Sequence, residues 1–153
     1  MILLTSNQRI PAIDDPNTGI TIWESGAIIE YLIDTYDKHS KLTLDAFPEK
    51  YHVKQMLYFQ VSGQGPYFGQ ASWFGYFHPE KLPSAIERYQ NEVKRVTKVL
   101  DEILKRNGGG YLVGDKCTCK HILGLLHFTP LPYMRTAIAV YMPSSAPPSC
   151  LVT

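Results

Sequence analysis

The chain has 153 residues, of which 44% are hydrophobic and 19% charged, and its formal net charge is +1. This composition supplies enough apolar surface for a globular core, and the balanced charge gives no electrostatic basis for binding nucleic acid or an anionic membrane. Three cysteines without disulfide spacing favour the reducing cytoplasm, and no apolar run reaches the roughly 18 residues that indicate a membrane helix.

The first ordered pattern predicts a β-hairpin. Residues 10–13, Ile-Pro-Ala-Ile, form a short apolar run that ends in two aspartates. Pro16 and Gly19 favour a tight turn, because proline restricts φ and glycine tolerates positive φ. Residues 20–23 then alternate with period two, as a strand does. Pro11 should lie at the start or edge of its strand, since proline cannot donate a ladder hydrogen bond.

A helix is predicted directly after the hairpin. Apolar side chains recur at steps of three and four residues over 28–36. Ser25 precedes this pattern and is a good N-cap residue. The pattern ends in a polar stretch, and residues 38–47 are predicted to be an interdomain linker.

A second helical region is predicted over residues 48–69. Two glycines and a proline between positions 62 and 69 disfavour a straight helix there. Aromatic residues crowd around this interruption, which leaves two interpretations open: a kinked helix packed on an aromatic core, or the wall of a cleft for an apolar ligand. These residues are Tyr67, Phe68, Trp73, Phe74, Tyr76 and Phe77.

The longest predicted helix covers residues 84–106. Ser84 and Glu87 have the spacing of a capping box. Apolar positions from Ile86 to Leu104 form one face, and the helix should stop at Asn107, which three glycines follow. Two pairs of opposite charge at i,i+4 support it: Asp101 with Lys105, and Glu102 with Arg106.

The sequence after this helix changes character. Residues 110–118 predict a compact turn that should lead into another capped helix. Residues 119–140 carry no clear pattern, and the segment from about 141 onward is rich in proline and serine and low in charge, which predicts disorder. Residues 119–153 are therefore interpreted as a divergent, disordered tail.

No metal site is predicted. Cys117, Cys119 and His121 are close in sequence, but a structural zinc site needs four ligands, and the fourth would have to come from a distant residue such as His127 or Cys150. Reduced cysteines in a disordered segment are the favoured interpretation. The chain also has no spaced carboxylate pair for glycoside chemistry and no phosphate-binding loop.

Several motifs occur together in an order typical of one enzyme family. They occupy residues 9–13, 23–28, 60–71, 76–78, 87–89 and 110–116. Together they resemble the cytosolic glutathione transferases over residues 7–118, most closely the fungal group that includes the prion-forming regulator of nitrogen catabolism. The resemblance implies an α/β plus all-α fold, in which an incomplete thioredoxin-like domain is followed by a helical domain of the glutathione-transferase type.

The resemblance also implies domain boundaries. A partial thioredoxin-like, glutathione-binding domain would occupy residues 1–37 and the helical domain residues 48–118. The linker, 38–47, would separate them, and the divergent tail, 119–153, would follow.

Four glutathione-site residues follow from the resemblance. In this family the residue before a cis-proline offers its backbone N–H and C=O to the cysteinyl part of glutathione, which here implies Ile10, with Pro11 as the cis residue. The Glu24-Ser25 pair would hold the γ-glutamyl end, because a helix N-terminus attracts a carboxylate and Glu24 can face the α-amino group. Without the resemblance, Ser25 would be interpreted as a plain N-cap and Pro11 as a strand-edge residue.

The implied activity is conjugation of glutathione, as co-substrate, to small hydrophobic electrophiles, with no other cofactor. The helical domain would supply the apolar second-substrate pocket, for which five aromatic residues are candidates: Tyr67, Phe68, Trp73, Phe74 and Tyr76. Family members are usually dimers, so a cytoplasmic homodimer is expected.

The chain departs from the family pattern at both ends. A strand, helix and strand should precede the hairpin, and only residues 1–6 stand there, so we expect the chain to be truncated. Thr5, Ser6 and Asn7 carry polar groups, but none can be assigned the thiol-activating role of the family's first strand. After Thr118 the expected cap is absent, which suggests a shifted reading frame or a retained intron.

Three alternatives therefore remain open. The first is a transferase, either active or inactivated by loss of the catalytic strand. The second is a non-enzymatic regulator or subunit that keeps the fold. The third is a product without a stable fold, because a sheet that lacks two strands exposes an edge.

Overall fold

The computed structural model describes residues 10–108 and 110–118. By its internal contacts the chain divides into two compact units, one up to Thr43 and the other from Leu44 onward. The predicted tail, 119–153, and the polar residues Thr5, Ser6 and Asn7 lie outside the described residues.

The first unit begins with the predicted hairpin. Strand β1, Ala12–Asp15, pairs antiparallel with strand β2, Ile20–Trp23. Strand β1 begins two residues later than predicted, after Pro11, whose peptide bond with Ile10 is cis as expected from the family resemblance. Gly19 adopts a φ of 73° in the turn, where the absence of a β-carbon removes the steric cost.

Helix α1, Ser25–Tyr36, follows the hairpin with one residue between them, and Ile28 is its buried position. The prediction that Ser25 caps this helix is wrong. Glu24 occupies the cap position, and no side chain forms a capping hydrogen bond there. Ser25 is the first helical residue, because the helix begins one residue earlier than the cap pattern indicated.

The second unit begins with helix α2, Glu49–Phe59, which a π-helical segment, Gln60–Gln64, extends into helix α3, Gly65–Ser72. A second π-helical segment, Trp73–Phe77, follows. The predicted interruption is thus a change of helical pitch rather than a break. Widened turns accommodate an extra residue without ending the helical path.

Pro66 explains why the path continues. It lies in the first turn of α3, where its missing N–H would have no intrahelical partner in any case.

Helix α4, Pro83–Arg106, is the longest element of the described residues. The predicted capping box is wrong, because Leu82 is the cap residue and both Ser84 and Glu87 lie inside the helix, with no side-chain capping bond. Pro83 starts the helix instead, with its fixed φ.

The two predicted ion pairs of α4 have different outcomes. Lys105 Nζ lies 2.7 Å from Asp101 Oδ2, which confirms that pair. Glu102 was expected to pair with Arg106 but lies 3.9 Å from Lys98 Nζ, one turn in the opposite direction. Both contacts are at the exposed surface, where each contributes little to stability.

The core of the second unit is formed by side chains of α2, α3, α4 and the loop after α4. It consists of Val53, Met56, Phe68, Val93, Val96, Leu100, Leu104, Leu112 and Val113. The four buried residues of α4 are spaced three or four positions apart, as the sequence pattern predicted. None of the helices within residues 10–108 is long and apolar enough to cross a membrane.

Phe68 provides a direct test of this core. Its side chain is 1% exposed, whereas Phe77 in the second π-helical segment is 63% exposed. We expect Phe68→Ala to lower the free energy of unfolding by about 3–5 kcal/mol, because it leaves a cavity among packed neighbours. The matched variant Phe77→Ala should cost about 1 kcal/mol or less. Urea unfolding followed by circular dichroism measures both, and equal losses would contradict the packing described here.

Candidate functional site

The corner between strand β2 and helix α1 has an unusual backbone. Glu24 adopts φ 74° and ψ 117°, a combination that side-chain-bearing residues rarely occupy. Such a conformation costs on the order of 1–3 kcal/mol and persists only where surrounding structure imposes it. The corner therefore holds Glu24 in a strained conformation at the N-terminus of α1.

The first backbone N–H groups of α1, at this corner, have no hydrogen-bond acceptor within the helix. The first helical hydrogen bond runs from the Ile28 N–H to the Glu24 carbonyl, at 2.9 Å. The N–H groups of Ser25, Gly26 and Ala27 precede that bond, as the first amides of any helix do. Together with the positive end of the helix dipole, they favour a negatively charged group.

The hairpin register brings Ile10 and Pro11 to the same end of the sheet as this corner. Ala12 pairs with Trp23, so the chain enters the ladder at Pro11 and leaves it at Glu24. The side chain of Ile10 is 92% exposed, and its backbone lies beyond the paired residues. The structure thus places all four predicted glutathione-site residues at one end of the hairpin.

The opposite end of the hairpin is joined to α1 through Asp15. The Tyr31 hydroxyl donates to Asp15 Oδ2 at 2.5 Å, and the Tyr36 hydroxyl donates to the same oxygen. The backbone N–H and side-chain amide of Asn17 donate to Oδ1 at 2.9 Å and 3.0 Å. The Asp15 side chain therefore accepts hydrogen bonds from both the turn and the helix.

These hydrogen bonds lower the pKa of Asp15 from 3.8 to about 2, with Tyr31 as the largest cause and Tyr36 the next, because the donors stabilise the charged carboxylate. Desolvation of the largely buried side chain opposes them and raises the pKa. The same carboxylate raises the pKa of Tyr36 through their shared hydrogen bond.

Sequence reasoning missed this cluster. The sequence pattern indicates only that Asp15 ends a strand and that Tyr36 belongs to an apolar helix face. The contacts join residues 16 and 21 positions apart, and no short motif marks such a pairing. The hydrogen bonds from Tyr31 and Tyr36 to Asp15 fix the direction of α1 relative to the hairpin, and therefore also the position of the corner at Glu24.

The aromatic residues of the second unit fall into two groups. Phe68 is a core residue and Tyr67 packs partly buried against that core, with the Arg95 guanidinium 5.8 Å from the Tyr67 ring centre. Trp73 and Tyr76 are about half exposed. Phe68 and Tyr67 therefore fit the interpretation as an aromatic core, whereas Trp73 and Tyr76 belong to an exposed surface.

Phe74 stacks on two other rings of this unit, those of Tyr89 and His78. Its ring centre lies 5.4 Å from that of Tyr89, with the planes 9° apart, and 5.1 Å from the His78 ring. Trp73 in turn stacks on Phe77 at 6.5 Å. Of the five predicted pocket residues, Trp73 and Tyr76 are exposed, Tyr67 and Phe74 are partly buried, and Phe68 is buried.

Within residues 10–108 and 110–118, no group of three or more His, Cys, Asp or Glu side chains could hold a metal ion. Cys117 is a thiol rather than half of a disulfide, and it is partly buried. Cys119, His121, His127 and Cys150, the other possible ligands considered from sequence, lie outside the described residues.

Curated proteins include clear relatives of this chain. No family model matches this sequence. The glutathione S-transferase-like protein tpcF of Aspergillus fumigatus is 52% identical over 124 residues, which cover 76% of this chain and 55% of that protein. The chain thus spans about half the length of the curated relatives it matches.

Two solved structures are similar over most of this chain. A glutathione transferase homologue from Lodderomyces elongisporus, solved with two glutathione molecules per subunit, is 34% identical, with a TM-score of 0.77 and coverage of 91% of this chain and 78% of that one. Ure2p in complex with glutathione is 30% identical, also with a TM-score of 0.77, and is covered to 72% of its length. The chain shares the glutathione-transferase fold.

The Asp15 cluster predicts an acid-dependent stability. Because its folded pKa of about 2 lies below the ordinary 3.8, Asp15 contributes stability that is present above about pH 4 and lost as the pH falls towards about 2. Tyr36→Phe removes one donor. We expect a lower melting temperature at neutral pH, with a difference from the unaltered protein that shrinks over this acid range.

Thermal melts followed by circular dichroism across pH measure this effect. The matched control is Tyr58→Phe, since Tyr58 is a 59% exposed tyrosine of α2, and it should leave both the melting temperature and its acid dependence unchanged. A Tyr36→Phe variant that melts like the unaltered protein at neutral pH would show that the cluster does not stabilise the unit.

Proposed function

Because the chain belongs to the glutathione S-transferase family, in its fungal nitrogen-regulator-like group, we propose that it binds glutathione at the corner formed by Ile10, Pro11, Glu24 and Ser25. We further propose that the protein uses this site to conjugate glutathione to small hydrophobic electrophiles, as a cytoplasmic homodimer. Glutathione is the co-substrate, and no other cofactor is required.

The strained backbone of Glu24 is the observation that carries the proposal. Residues held in rare conformations cluster at ligand-binding sites, where the strain positions a functional group. The γ-glutamyl end of glutathione carries a carboxylate and an ammonium group. The amides of Ser25 and the next two residues, which precede the first helical hydrogen bond, suit the carboxylate, and the Glu24 carboxylate suits the ammonium group.

Ile10 supports recognition of the middle of the tripeptide. Its peptide group lies just beyond the ladder, which begins with the pairing of Ala12 and Trp23. An extended ligand can bond to such a backbone segment as an added strand, with its N–H and C=O groups paired to the protein backbone. This contact would place the cysteinyl thiol near Pro11.

Conjugation requires two further features. The thiol, with an ordinary pKa of about 8.5, must become a thiolate to attack an electrophile, and the four corner residues are proposed for binding rather than for that step. The electrophile needs an apolar contact surface. Trp73 and Tyr76 are proposed for this contact because they are about half exposed, together with Phe74, which is partly buried and next to Trp73 in the chain.

A second candidate function is glutathione recognition without turnover, as in a regulator or regulatory subunit. Membership of the fungal nitrogen-regulator-like group favours it, as does the chemistry of the corner, whose described groups are proposed only to hold a ligand. Both candidates share the same binding site and differ only in whether the bound thiol reacts.

Glu24→Gln tests the shared site. The substitution keeps the shape of the side chain but removes its charge. We expect the glutathione dissociation constant, measured by isothermal titration calorimetry, to rise about 10- to 100-fold, since a hydrogen bond to a charged group contributes about 1.5–3 kcal/mol. Glu80→Gln, a neutralised carboxylate in the exposed loop before α4, is the matched control and should bind as the unaltered protein does.

Conjugation of a chromogenic electrophile by the same samples separates the two functions. Binding with turnover supports the transferase, and binding without turnover supports the recognition function. If the folded unaltered protein does not bind glutathione, or if Glu24→Gln binds it equally well, the assignment of the corner is wrong.

A further inference from the structure

The end of helix α4 contains the one asparagine in the sequence that a glycine follows. The chain has asparagines at positions 7, 17, 91 and 107, and only Asn107 precedes glycine. A glycine at that place has no side chain to shield its backbone nitrogen from the neighbouring amide. Asn107 and Gly108 are both solvent-exposed, so water reaches them.

The Asn107 side chain joins the end of α4 to the loop that follows. Its amide nitrogen donates to the Leu112 carbonyl at 2.6 Å and lies 3.4 Å from the Tyr111 carbonyl. Its backbone N–H donates to the Ile103 and Leu104 carbonyls. One side-chain amide thus connects the last turn of the helix to two carbonyls of the loop.

This connection positions part of the core. Leu112 and Val113 are 3% and 5% exposed and belong to the same buried cluster as the apolar face of α4. Together with Asn107 they also line a groove of about 500 Å³ on this unit. A change in the Asn107 amide therefore acts on the loop, the core and the groove at once.

The backbone around Gly108 leaves its nitrogen weakly engaged. Gly108 adopts φ 82°, and its N–H donates to the Lys105 carbonyl at 3.3 Å, a long hydrogen bond at the end of a helix, where fraying is common. Opening of this last turn frees both the Gly108 nitrogen and the Asn107 side chain.

We propose that Asn107 is a site of spontaneous deamidation that acts as a one-way release of the loop formed by residues 110–114. The Gly108 backbone nitrogen attacks the amide carbon (Cγ) of the Asn107 side chain, and a new bond forms between these two atoms. The bond between Cγ and Nδ2 breaks, and ammonia leaves with the proton from the Gly108 nitrogen. Water then opens the cyclic imide to aspartate or isoaspartate, with no change of oxidation state.

The product cannot keep the contact that the amide makes. A carboxylate has no N–H to donate, and its oxygens would face the carbonyl oxygens of Tyr111 and Leu112. Isoaspartate also inserts a methylene into the backbone at the helix end. Both products therefore remove the attachment of the loop to the end of α4 through Asn107 and so lower the protection of the backbone at Leu112 and Val113. This release does not depend on the glutathione corner and goes beyond the proposed function.

Ageing of the 153-residue chain at mildly alkaline pH tests the site. Isoaspartate is assayed with a protein isoaspartyl methyltransferase and a labelled methyl donor, and located by peptide mapping. We expect isoaspartate at position 107 to exceed that at positions 17 and 91 several-fold. In Asn107→Gln, which cannot form the five-membered imide, isoaspartate at this position should be absent. Equal isoaspartate at positions 91 and 107 would overturn the proposal.

Asn107→Asp tests the consequence, with Asn91→Asp as the control for the added charge, because Asn91 is an exposed position in the middle of α4. We expect Asn107→Asp to melt about 2–8 °C below Asn91→Asp. Equal melting temperatures would overturn the release. If Asn107→Asp does not fold, hydrogen exchange of the aged unaltered protein decides instead. Protection at Leu112 and Val113 must fall in proportion to isoaspartate, and undiminished protection would overturn the release.

Discussion

The pairing of Ala12 with Trp23 is the constraint on which the candidate site depends. A shift of the hairpin by one residue would turn every side chain of one strand to the other face and would separate Pro11 from Glu24. The register alone does not orient the helix that follows. Asp15, at the far end of the hairpin, receives hydroxyl donors from Tyr31 and Tyr36 and so ties α1 to the turn. Glu24, with its strained backbone, directly follows the paired residue Trp23 and directly precedes α1, which the Asp15 hydrogen bonds orient.

In the second unit, packing against α2, α3 and the following loop buries one face of the long helix α4. The two π-helical segments widen the helical path on either side of α3 and change which residues face α4. Phe68 is buried as a result, while Trp73 and Tyr76 remain about half exposed. The loop after α4 completes the core through Leu112 and Val113, and the Asn107 side chain at the helix end donates to the Leu112 carbonyl.

Recognition and reaction place different demands on a glutathione site. Recognition needs amides, a carboxylate and an accessible strand backbone, and the described residues bring these groups to one end of the hairpin. Reaction needs a donor near the thiol sulfur in addition. The groups at Ile10, Glu24 and Ser25 are therefore better suited to hold the tripeptide than to change its chemistry, and both proposed functions begin from that shared step.

Much of the fold and of the candidate site was predictable from sequence, because the relevant signals are local. Alternation identified β2, three- and four-residue spacing identified α1 and the buried face of α4, and the ordered motifs identified the glutathione-transferase fold. The four residues that the family resemblance implies for glutathione binding remain a prediction, and the structure brings them to one end of the hairpin. The helix caps were wrong by one or two residues at Ser25 and Ser84, since a serine can cap a helix only if the helix begins directly after it.

Tertiary structure alone decided the remaining features. The Asp15 hydrogen bonds, the separation of Phe68 from Trp73, and the attachment of Asn107 to the following loop each depend on where two segments lie relative to one another. The residue types in one segment restrict that placement only weakly, because the same tyrosine or asparagine can face solvent, a carboxylate or a carbonyl with little change in local preference. The sequence by itself therefore determined which elements form and which family they belong to, and packing between elements determined which side chains meet.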